Sequence, residues 1–256
     1  MPNKRKPFTD SLRLNHGATD LVVRSDSNPE QPPVAPRQFY QRAYYRFVKL
    51  IVSIGSMVFY KTRVHRLENV LHEGPSLVLV NHQSNLDAMV MGAIYPGILS
   101  SMAKHTLFKY PPLSWILHGL DSIPVDRTST GLGGMKTVLK RLKAGYRVML
   151  FPEGQRSFDG ELQPLMTGFC LLVRKSRVPM VPVCMDGPFQ AWPRGTKFPK
   201  PGRIHVVVGE PIHFHEVEHM SDDEMAEFVF VRMKKCFDEA RDLRIQAISN
   251  LQSQIS

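Results

Sequence analysis

A histidine and an aspartate lie close together, directly after an apolar run that is typical of a buried strand. His82 and Asp87 are five residues apart in NHQSNLD, which follows SLVLV (76–80). Across a strand-to-helix turn the carboxylate can reach back to the imidazole, fix its tautomer and stabilise the imidazolium. Because Ser84 is poorly placed as a nucleophile, the pair predicts a base that activates a hydroxyl group of the substrate. Simple caps of a turn and a helix are the structural alternative.

Two further segments follow apolar strands and carry groups suited to a phosphate. In FPEGQRS (151–157), Glu153 can accept from a hydroxyl, Gly154 gives a flexible turn, and Arg156 offers a forked donor to phosphate oxygens. Arg127 follows a short strand and could add a second phosphate contact. Local ion pairs or solvated surface residues are the alternative at both places.

Composition narrows the classes of protein and of partner. The chain has 256 residues, 33 Lys and Arg against 23 Asp and Glu, and a formal net charge of +10. This excess predicts an anionic partner, which is nucleic acid, a membrane surface or a phosphorylated substrate. A hydrophobic content of 43% excludes full disorder. Three cysteines without CxxC spacing argue against a disulfide scaffold and favour a reducing compartment.

The first 66 residues divide into two parts. Residues 1–36 are mostly polar and punctuated by proline, which predicts a disordered tail and no secretory signal. Residues 37–66 carry basic residues but no Asp or Glu. One helical face of this segment is apolar and aromatic, with Tyr40, Ala43, Tyr44, Phe47, Ile51, Ile54 and Val58.

This pattern predicts an amphipathic helix that lies in a lipid headgroup layer. The alternative is a helix packed on the domain with its basic face in water. No uninterrupted apolar run reaches the roughly 20 residues of a transmembrane helix. An interfacial or re-entrant segment therefore stays open.

Strand-like and helix-like segments alternate over residues 67–256. Apolar strands are predicted at 76–80, 123–125, 147–151, 178–184 and 204–208. Helices are predicted at 86–94, 133–143, 169–175 and from a capping box of Ser221 and Glu224 to about residue 245. The alternation predicts an α/β domain with a central, mostly parallel or mixed sheet flanked by helices.

Four blocks resemble the lysophospholipid acyltransferase family, whose best-known members are the 1-acylglycerol-3-phosphate acyltransferases. They are NHQSNLD (81–87), AKHTLFKYPPLSWILHGLDSIPVDR (103–127), FPEGQRS (151–157) and VPMVPVCMDG (178–187). The His-X4-Asp spacing alone carries little weight. Four blocks in family order over about residues 75–215 are specific.

The resemblance implies transfer of a fatty acyl group from acyl-CoA or acyl-ACP to the hydroxyl of a lysophospholipid, most directly 1-acylglycerol-3-phosphate. It implies a reaction without a cofactor, a metal ion or a covalent intermediate. It also implies a protein that is peripheral or monotopic on the cytoplasmic face of an anionic membrane. His82 becomes the general base and Asp87 its partner. The residues assigned to the acceptor phosphate are Arg127, Glu153, Gly154 and Arg156, with Lys104 as a further candidate for the phosphate or for CoA.

Two departures from the family pattern concern the acceptor. Gln155 stands where the family commonly has Thr, and Met166 lies where a Phe-Lys pair is common. The missing lysine removes a cation near the expected phosphate, so another lysolipid or lipid-like alcohol stays an alternative acceptor. A non-catalytic, basic membrane-binding protein is the alternative from a different class. Scattered basic and aromatic residues argue against nucleic acid.

Two other groups of residues have weaker chemical interpretations. A zinc site is one interpretation of the cluster His213, His215, Glu216 and His219, and a solvated loop before the last helix is the favoured one. The glycine-rich segment 131–136 lacks the spacing of a nucleotide-binding loop.

Overall fold

A five-stranded sheet forms the centre of the domain. The computed structural model describes residues 39–125 and 132–255. The strand order is β1-β7-β6-β2-β5. The strands are β1 (Arg63–His65), β2 (Leu77–Val80), β5 (Val148–Leu150), β6 (Met180–Asp186) and β7 (His205–Val208). Only β6 and β7 pair antiparallel, and the other neighbours in this sheet pair parallel. The predicted α/β class with a mostly parallel, mixed sheet is confirmed.

Helices cover both faces of this sheet, and a small second sheet adjoins its β5 edge, where Ser100 forms a parallel bridge with Val148. The helices are α1 (Phe39–Tyr60), α2 (Leu86–Ile94), α3 (Pro111–Gly119), α4 (Leu132–Lys143), α5 (Gly168–Ser176), α6 (Pro188–Ala191), α7 (Phe214–Val217) and α8 (Asp222–Ile255). Strands β3 (Ser101–Lys104) and β4 (Ser122–Val125) pair parallel in the second sheet.

The central sheet separates two hydrophobic cores. Side chains alternate along a strand, so Leu77 and Leu79 of β2 enter one core while Val78 and Val80 enter the other. The first core is shared with α4, α5 and α8, and the second with α2 and the end of α6. All four residues of β2 are buried, which explains why its sequence is continuously apolar.

Helix α1 packs on the domain through its less apolar side. Tyr45, Val48 and Ser56 are buried, and Ser53 Oγ donates to the carbonyl of Ala93 in α2 at 3.0 Å. The apolar face that the sequence indicates points away from the domain, with most of its large side chains exposed (Tyr40, Phe47, Ile51, Ile54 and Val58). Within the described ranges, no helix is both long and apolar enough to cross a membrane.

Several boundaries differ from the sequence expectations for identifiable reasons. Strand β1 belongs to the central sheet although it lies inside 37–66, because three residues are too short for a visible alternation. Strand β3 was not predicted because SMAK is short and half polar. The capping box of Ser221 and Glu224 is present, with bonds of 2.7 and 3.3 Å.

The end of the last helix was predicted wrongly. Helix α8 continues to Ile255, ten residues beyond the expected end, because no glycine or proline interrupts the helix-forming sequence after residue 245. The predicted tail at 1–36 and the cap at 128–130 lie outside the described residues.

Candidate active site

The turn between β2 and α2 brings the predicted base, His82, into contact with its predicted partner, Asp87. His82 follows the last residue of β2, and Asp87 lies in the first turn of α2. His82 Nδ1 and Asp87 Oδ2 are 2.8 Å apart. The expected reach of the carboxylate back across the turn is therefore what the structure shows, although the catalytic roles of both residues stay predictions.

The Asp87 carboxylate also closes the turn itself. Its Oδ2 atom accepts from the backbone N–H groups of Gln83 and Ser84, each at 2.7 Å. Because this oxygen receives N–H donors, Nδ1 of His82 carries the proton and Nε2 is the nitrogen left to act as a base. Complete burial raises the pKa of Asp87, while the bonds from His82 and the two backbone groups oppose that rise.

The imidazole ring is held on its face as well as at its edge. It stacks on Phe151 with ring centroids 3.9 Å apart and planes 13° apart. Only 13% of the His82 side chain is exposed. The ring therefore has a fixed orientation, with a small accessible edge toward solvent.

Glu153 holds the backbone of His82 in place through a hydrogen bond. Its Oε1 accepts from the backbone N–H of His82 at 2.6 Å, and its Oε2 accepts from the backbone N–H of Gln163 at 2.9 Å. The next loop completes the link, because Ser157 N–H donates to the His82 carbonyl at 2.7 Å. Both carboxylate oxygens accept hydrogen bonds from backbone N–H groups, so the structure shows that Glu153 positions the backbone of His82 and Gln163. A direct contact of Glu153 with an acceptor stays a prediction.

Burial also changes the acidity of this carboxyl group. The pKa of Glu153 is raised to about 7 by burial, against the lowering effect of the two backbone donors. The nearby carboxylates of Asp87 and Asp159 raise it further. Glu153 is therefore a buried acid that titrates near neutrality within hydrogen-bond distance of the His82 backbone.

Gly154 and Arg156 have different surroundings from Glu153. Gly154 has φ +73°, and a side chain there would meet the sulfur of Met166. The partly exposed Arg156 guanidinium has no hydrogen bond or ion pair to any residue of the described chain. Ser157, the next residue, bonds the His82 backbone, so a guanidinium without a partner among the described residues lies near His82 and is available to an anion.

Two cavities flank the turn at Gly154. One of about 160 Å³ is lined by Met102, Met149, Leu150, Phe151 and Gly154. The other, of about 430 Å³, is lined by Glu153, Gly154, Gln155, Gln163, Pro164 and Met166. The first is mainly apolar and includes the ring on which His82 stacks, and the second is lined by both polar and apolar side chains.

The structure does not test the two remaining predicted contacts to the acceptor or the donor. Arg127 lies outside the described residues. Lys104 is the last residue of β3. Their assignments stay predictions.

Three polar residues hold the turn in place, a role that was not predicted for them from the sequence. Asn81 exchanges two hydrogen bonds with the backbone of Met185, at 2.9 and 2.8 Å. Ser84 Oγ donates to the carbonyl of Trp192 at 2.8 Å. Gln83 Nε2 donates to the carbonyl of Gly160 at 2.6 Å.

The Gln83 amide also joins the turn to the last helix. Its Nε2 lies 3.3 Å from Oδ1 of the fully buried Asp186, whose other oxygen pairs with Arg244 of α8. The available sequence signal was a run of polar residues between two apolar elements. The long-range partners were not visible in it.

The cluster around His213 has a structural explanation. Glu216 accepts from the backbone N–H of His213 at 2.6 Å and caps the short helix α7, which replaces the expected loop. His219 is almost fully exposed beside Glu218. Among residues 39–125 and 132–255, no three His, Cys, Asp or Glu side chains are placed to hold a metal ion. The three cysteines are buried and free.

Comparison with known proteins gives consistent matches. A family model described as Acyltransferase matches residues 61–186. The chloroplastic 1-acyl-sn-glycerol-3-phosphate acyltransferase of Brassica napus is 30% identical over 192 residues, 72% of this chain and 55% of the relative. The 1-acyl-sn-glycerol-3-phosphate acyltransferase of Bacillus subtilis is 28% identical over 209 residues, 81% of this chain and 96% of the relative.

A solved structure shares the fold. The crystal structure of the 1-acyl-sn-glycerophosphate (LPA) acyltransferase PlsC from Thermotoga maritima matches with a TM-score of 0.66 and 24% identity. The match covers 78% of this chain and 79% of that one. The chain spans about half the length of the plant relatives from Brassica napus and Arabidopsis thaliana.

The raised pKa of Glu153 predicts a pH-dependent stability. An unfolded Glu titrates near 4.5, and the folded one near 7. Between these values the folded protein retains a proton that the unfolded chain has released. The free energy of unfolding should therefore fall as pH rises through this window, by at most about 3 kcal/mol from this group.

Urea unfolding of the wild type and of Glu153→Gln at several pH values from 5 to 7.5 measures this contribution. Glu153→Gln should remove part of the pH slope and lower stability at every pH, because an amide nitrogen then faces a backbone N–H. The exposed Glu227→Gln is the matched control and should keep the wild-type slope. An unchanged slope in Glu153→Gln would contradict the prediction.

Proposed function

The chain belongs to the acyltransferase family, and on this basis we propose that it transfers a fatty acyl group from acyl-CoA or acyl-ACP to the hydroxyl of a lysophospholipid. The proposed acceptor is 1-acylglycerol-3-phosphate, and the product is phosphatidic acid. The observation that carries the proposal is the His82 ring, oriented by Asp87 with Nε2 left free as a base. The matched relatives bear the name of this activity.

The arrangement supports a direct transfer. His82 Nε2 removes the proton from the acceptor hydroxyl as its oxygen attacks the thioester carbonyl carbon. The new ester C–O bond forms, the C–S bond breaks, and the imidazolium returns the proton to the leaving thiolate. Asp87 stabilises the imidazolium throughout because its Oδ2 accepts a hydrogen bond from Nδ1–H. No covalent acyl-enzyme is needed.

The surroundings of His82 suggest places for the two ends of the acceptor. The unpartnered Arg156 guanidinium suits the phosphate and so orients the hydroxyl group. The apolar cavity at Met102, Met149 and Phe151 suits an acyl chain beside the ring. Met166, where the family commonly has a lysine, lies over Gly154, so it supplies sulfur rather than charge to this edge of the site.

We also propose that α1 holds the protein on an anionic membrane, on the cytoplasmic face. Its outer face exposes a stripe of large apolar side chains, each more than two-fifths exposed (Phe47, Leu50, Ile51, Ile54, Met57, Val58 and Phe59). Exposed patches of this kind mark interaction surfaces. The edge of Trp115 in α3 meets the rings of Tyr44 and Phe47, which places three aromatic rings beside the stripe.

Basic groups lie where lipid headgroups would meet this stripe. A cavity of about 440 Å³ is lined by Arg42, Tyr45, Arg46, Lys49, Gly97 and Ile98. Lys49 donates to the carbonyls of Tyr95 and Gly97, and burial lowers its pKa. Arg42 and Arg46 are exposed and have no hydrogen bond or ion pair within the part of the chain that the structure describes. Their charges are therefore available to anionic headgroups.

Replacement of the base tests the reaction. His82→Ala should lower kcat for acyl transfer by about 10²- to 10⁴-fold, because the acceptor hydroxyl loses its general base. Thiol release from labelled acyl-CoA with a panel of lysolipids measures it, and circular dichroism checks the fold. The highly exposed His219→Ala is the control. Substantial transfer by folded His82→Ala would exclude this mechanism, and no thiol release by the wild type with any acceptor would favour a non-catalytic binder.

Replacement of the free guanidinium tests recognition of the acceptor. Arg156→Ala should raise the KM for 1-acylglycerol-3-phosphate by about 10- to 100-fold, the value of a hydrogen bond to a charged group. The donor KM should stay unchanged in the same steady-state assay. The exposed Arg63→Ala, which removes the same charge from the sheet edge, should behave like the wild type. An unchanged acceptor KM in Arg156→Ala would count against its role.

Replacement of the exposed stripe tests membrane association. Ile54→Ser with Val58→Ser should lower partitioning into lipid vesicles by about 100-fold, because two apolar side chains no longer leave water. Vesicle flotation measures the partitioning, and high salt should not remove the difference. The control Val231→Ser with Ile245→Ser changes two equally exposed apolar residues on α8. Equal partitioning of the two double variants would refute the role of α1.

A further inference from the structure

We infer that the loop from Trp192 to Arg203, called here the 192–203 loop, is a second membrane-docking element that contacts anionic lipid beside α1. The inference rests on the membrane association proposed above and extends it to a different part of the chain. Its sequence, WPRGTKFPKPGR, contains four basic residues, and no Asp or Glu occurs from Pro188 to Gly209. Charge of one sign next to aromatic rings suits an anionic lipid surface.

The loop projects outward as an ordered structure. Residues 194–201 are all exposed, and Phe198, at 71%, is the most exposed large hydrophobic residue in the described chain. Trp192 Nε1 donates to the carbonyl of Thr196 at 3.1 Å, and Lys200 N–H donates to the carbonyl of Ala191 at 2.7 Å. The exposed phenyl ring therefore stands on a loop whose base is closed by hydrogen bonds.

The loop is continuous with the exposed stripe of α1. The N–H groups of Gly202 and Ile204 donate to the carbonyls of Phe59 and Tyr60 at 3.1 and 3.0 Å. Phe59 and its neighbour Val58 are both at least three-fifths exposed. The apolar end of α1 and the basic loop therefore form one surface, which a single bilayer can contact.

The other side of the loop borders the proposed active site. The Arg194 guanidinium lies over the Phe158 ring, 4.4 Å from its centroid, and Phe158 follows FPEGQRS directly. The backbone carbonyl of Trp192 accepts a hydrogen bond from the hydroxyl of Ser84, in the turn that carries His82. Docking of the loop would thus hold the edge of the turn that carries His82 at the lipid surface.

Charge and ring can be tested separately. Lys197→Gln with Lys200→Gln should weaken binding to phosphatidylcholine vesicles that contain about one third phosphatidylglycerol by about tenfold or more, and leave binding to pure phosphatidylcholine unchanged. Salt at about 1 M should abolish this difference by screening. Phe198→Ser should weaken binding to both vesicles by about tenfold, at either salt concentration.

The opposite face of the sheet supplies matched controls. Lys175→Gln with Lys235→Gln removes two exposed charges from α5 and α8, and Leu171→Ser removes an exposed apolar side chain from α5. Both controls should bind vesicles like the wild type. Loop variants that bind like their controls would overturn the inference.

A spectroscopic measurement reports depth directly. Since the native cysteines are buried, a polarity-sensitive dye can label Phe198→Cys or the control Leu171→Cys selectively. Brominated lipid in anionic vesicles should quench the dye at 198 and not at 171. Equal quenching, or none at 198, would contradict insertion of the loop.

Activity assays separate this inference from the proposed reaction. With a short-chain, monomeric acceptor and no vesicles, the loop variants should keep the wild-type kcat and donor KM. A raised donor KM with unchanged vesicle binding would assign the loop to the acyl donor and overturn the inference. Loop-dependent binding by a protein without acyl transfer would support it and refute the reaction. Failure of the wild type to bind anionic vesicles would refute both docking elements.

Discussion

One buried carboxylate oxygen, Oδ2 of Asp87, organises the turn between β2 and α2. It accepts hydrogen bonds from Nδ1–H of His82 and from two backbone N–H groups of the same turn. A buried carboxylate is costly unless it is hydrogen-bonded, and here the donors come from the segment that the carboxylate must order. The orientation of the ring and the shape of the turn therefore depend on the same atom. A displaced turn would lose both together.

The rest of the domain keeps this turn in place from three directions. Asn81 extends the pairing of β2 with β6 by bonding the backbone of Met185, and Glu153 supports the His82 backbone from the neighbouring loop. Gln83 connects through Asp186 to Arg244 on α8. Each support uses a buried polar group with a defined partner, and hydrogen bonds of this kind hold the turn rigidly. This rigidity suits the role proposed for His82, a base that meets a hydroxyl in one geometry.

Local contacts could be predicted from the sequence, whereas long-range partners could not. The contact of His82 with Asp87 lies within one short turn, and the apolar strands were visible as runs. Glu153 was expected to face a substrate because a carboxylate near Arg156 resembles a ligand site. Its burial against the backbone of His82, 71 residues away, leaves no local signal. For α1, periodicity identified the apolar face but contains no information about whether protein or lipid covers it.

The apolar face of α1 points away from the domain, and this orientation affects how a lipid acceptor could reach His82. Helix α1 contacts α2, whose first turn carries Asp87, and Trp192 packs on the same core as α2. The exposed stripe and the 192–203 loop therefore lie on the α2 side of the sheet, and the turn that carries His82 leads into α2. Full extraction of an acyl chain from a bilayer would cost about 0.8 kcal/mol per methylene. With both proposed docking elements on the lipid, the hydroxyl can reach His82 while most of the chain stays in apolar surroundings, so this cost is largely avoided.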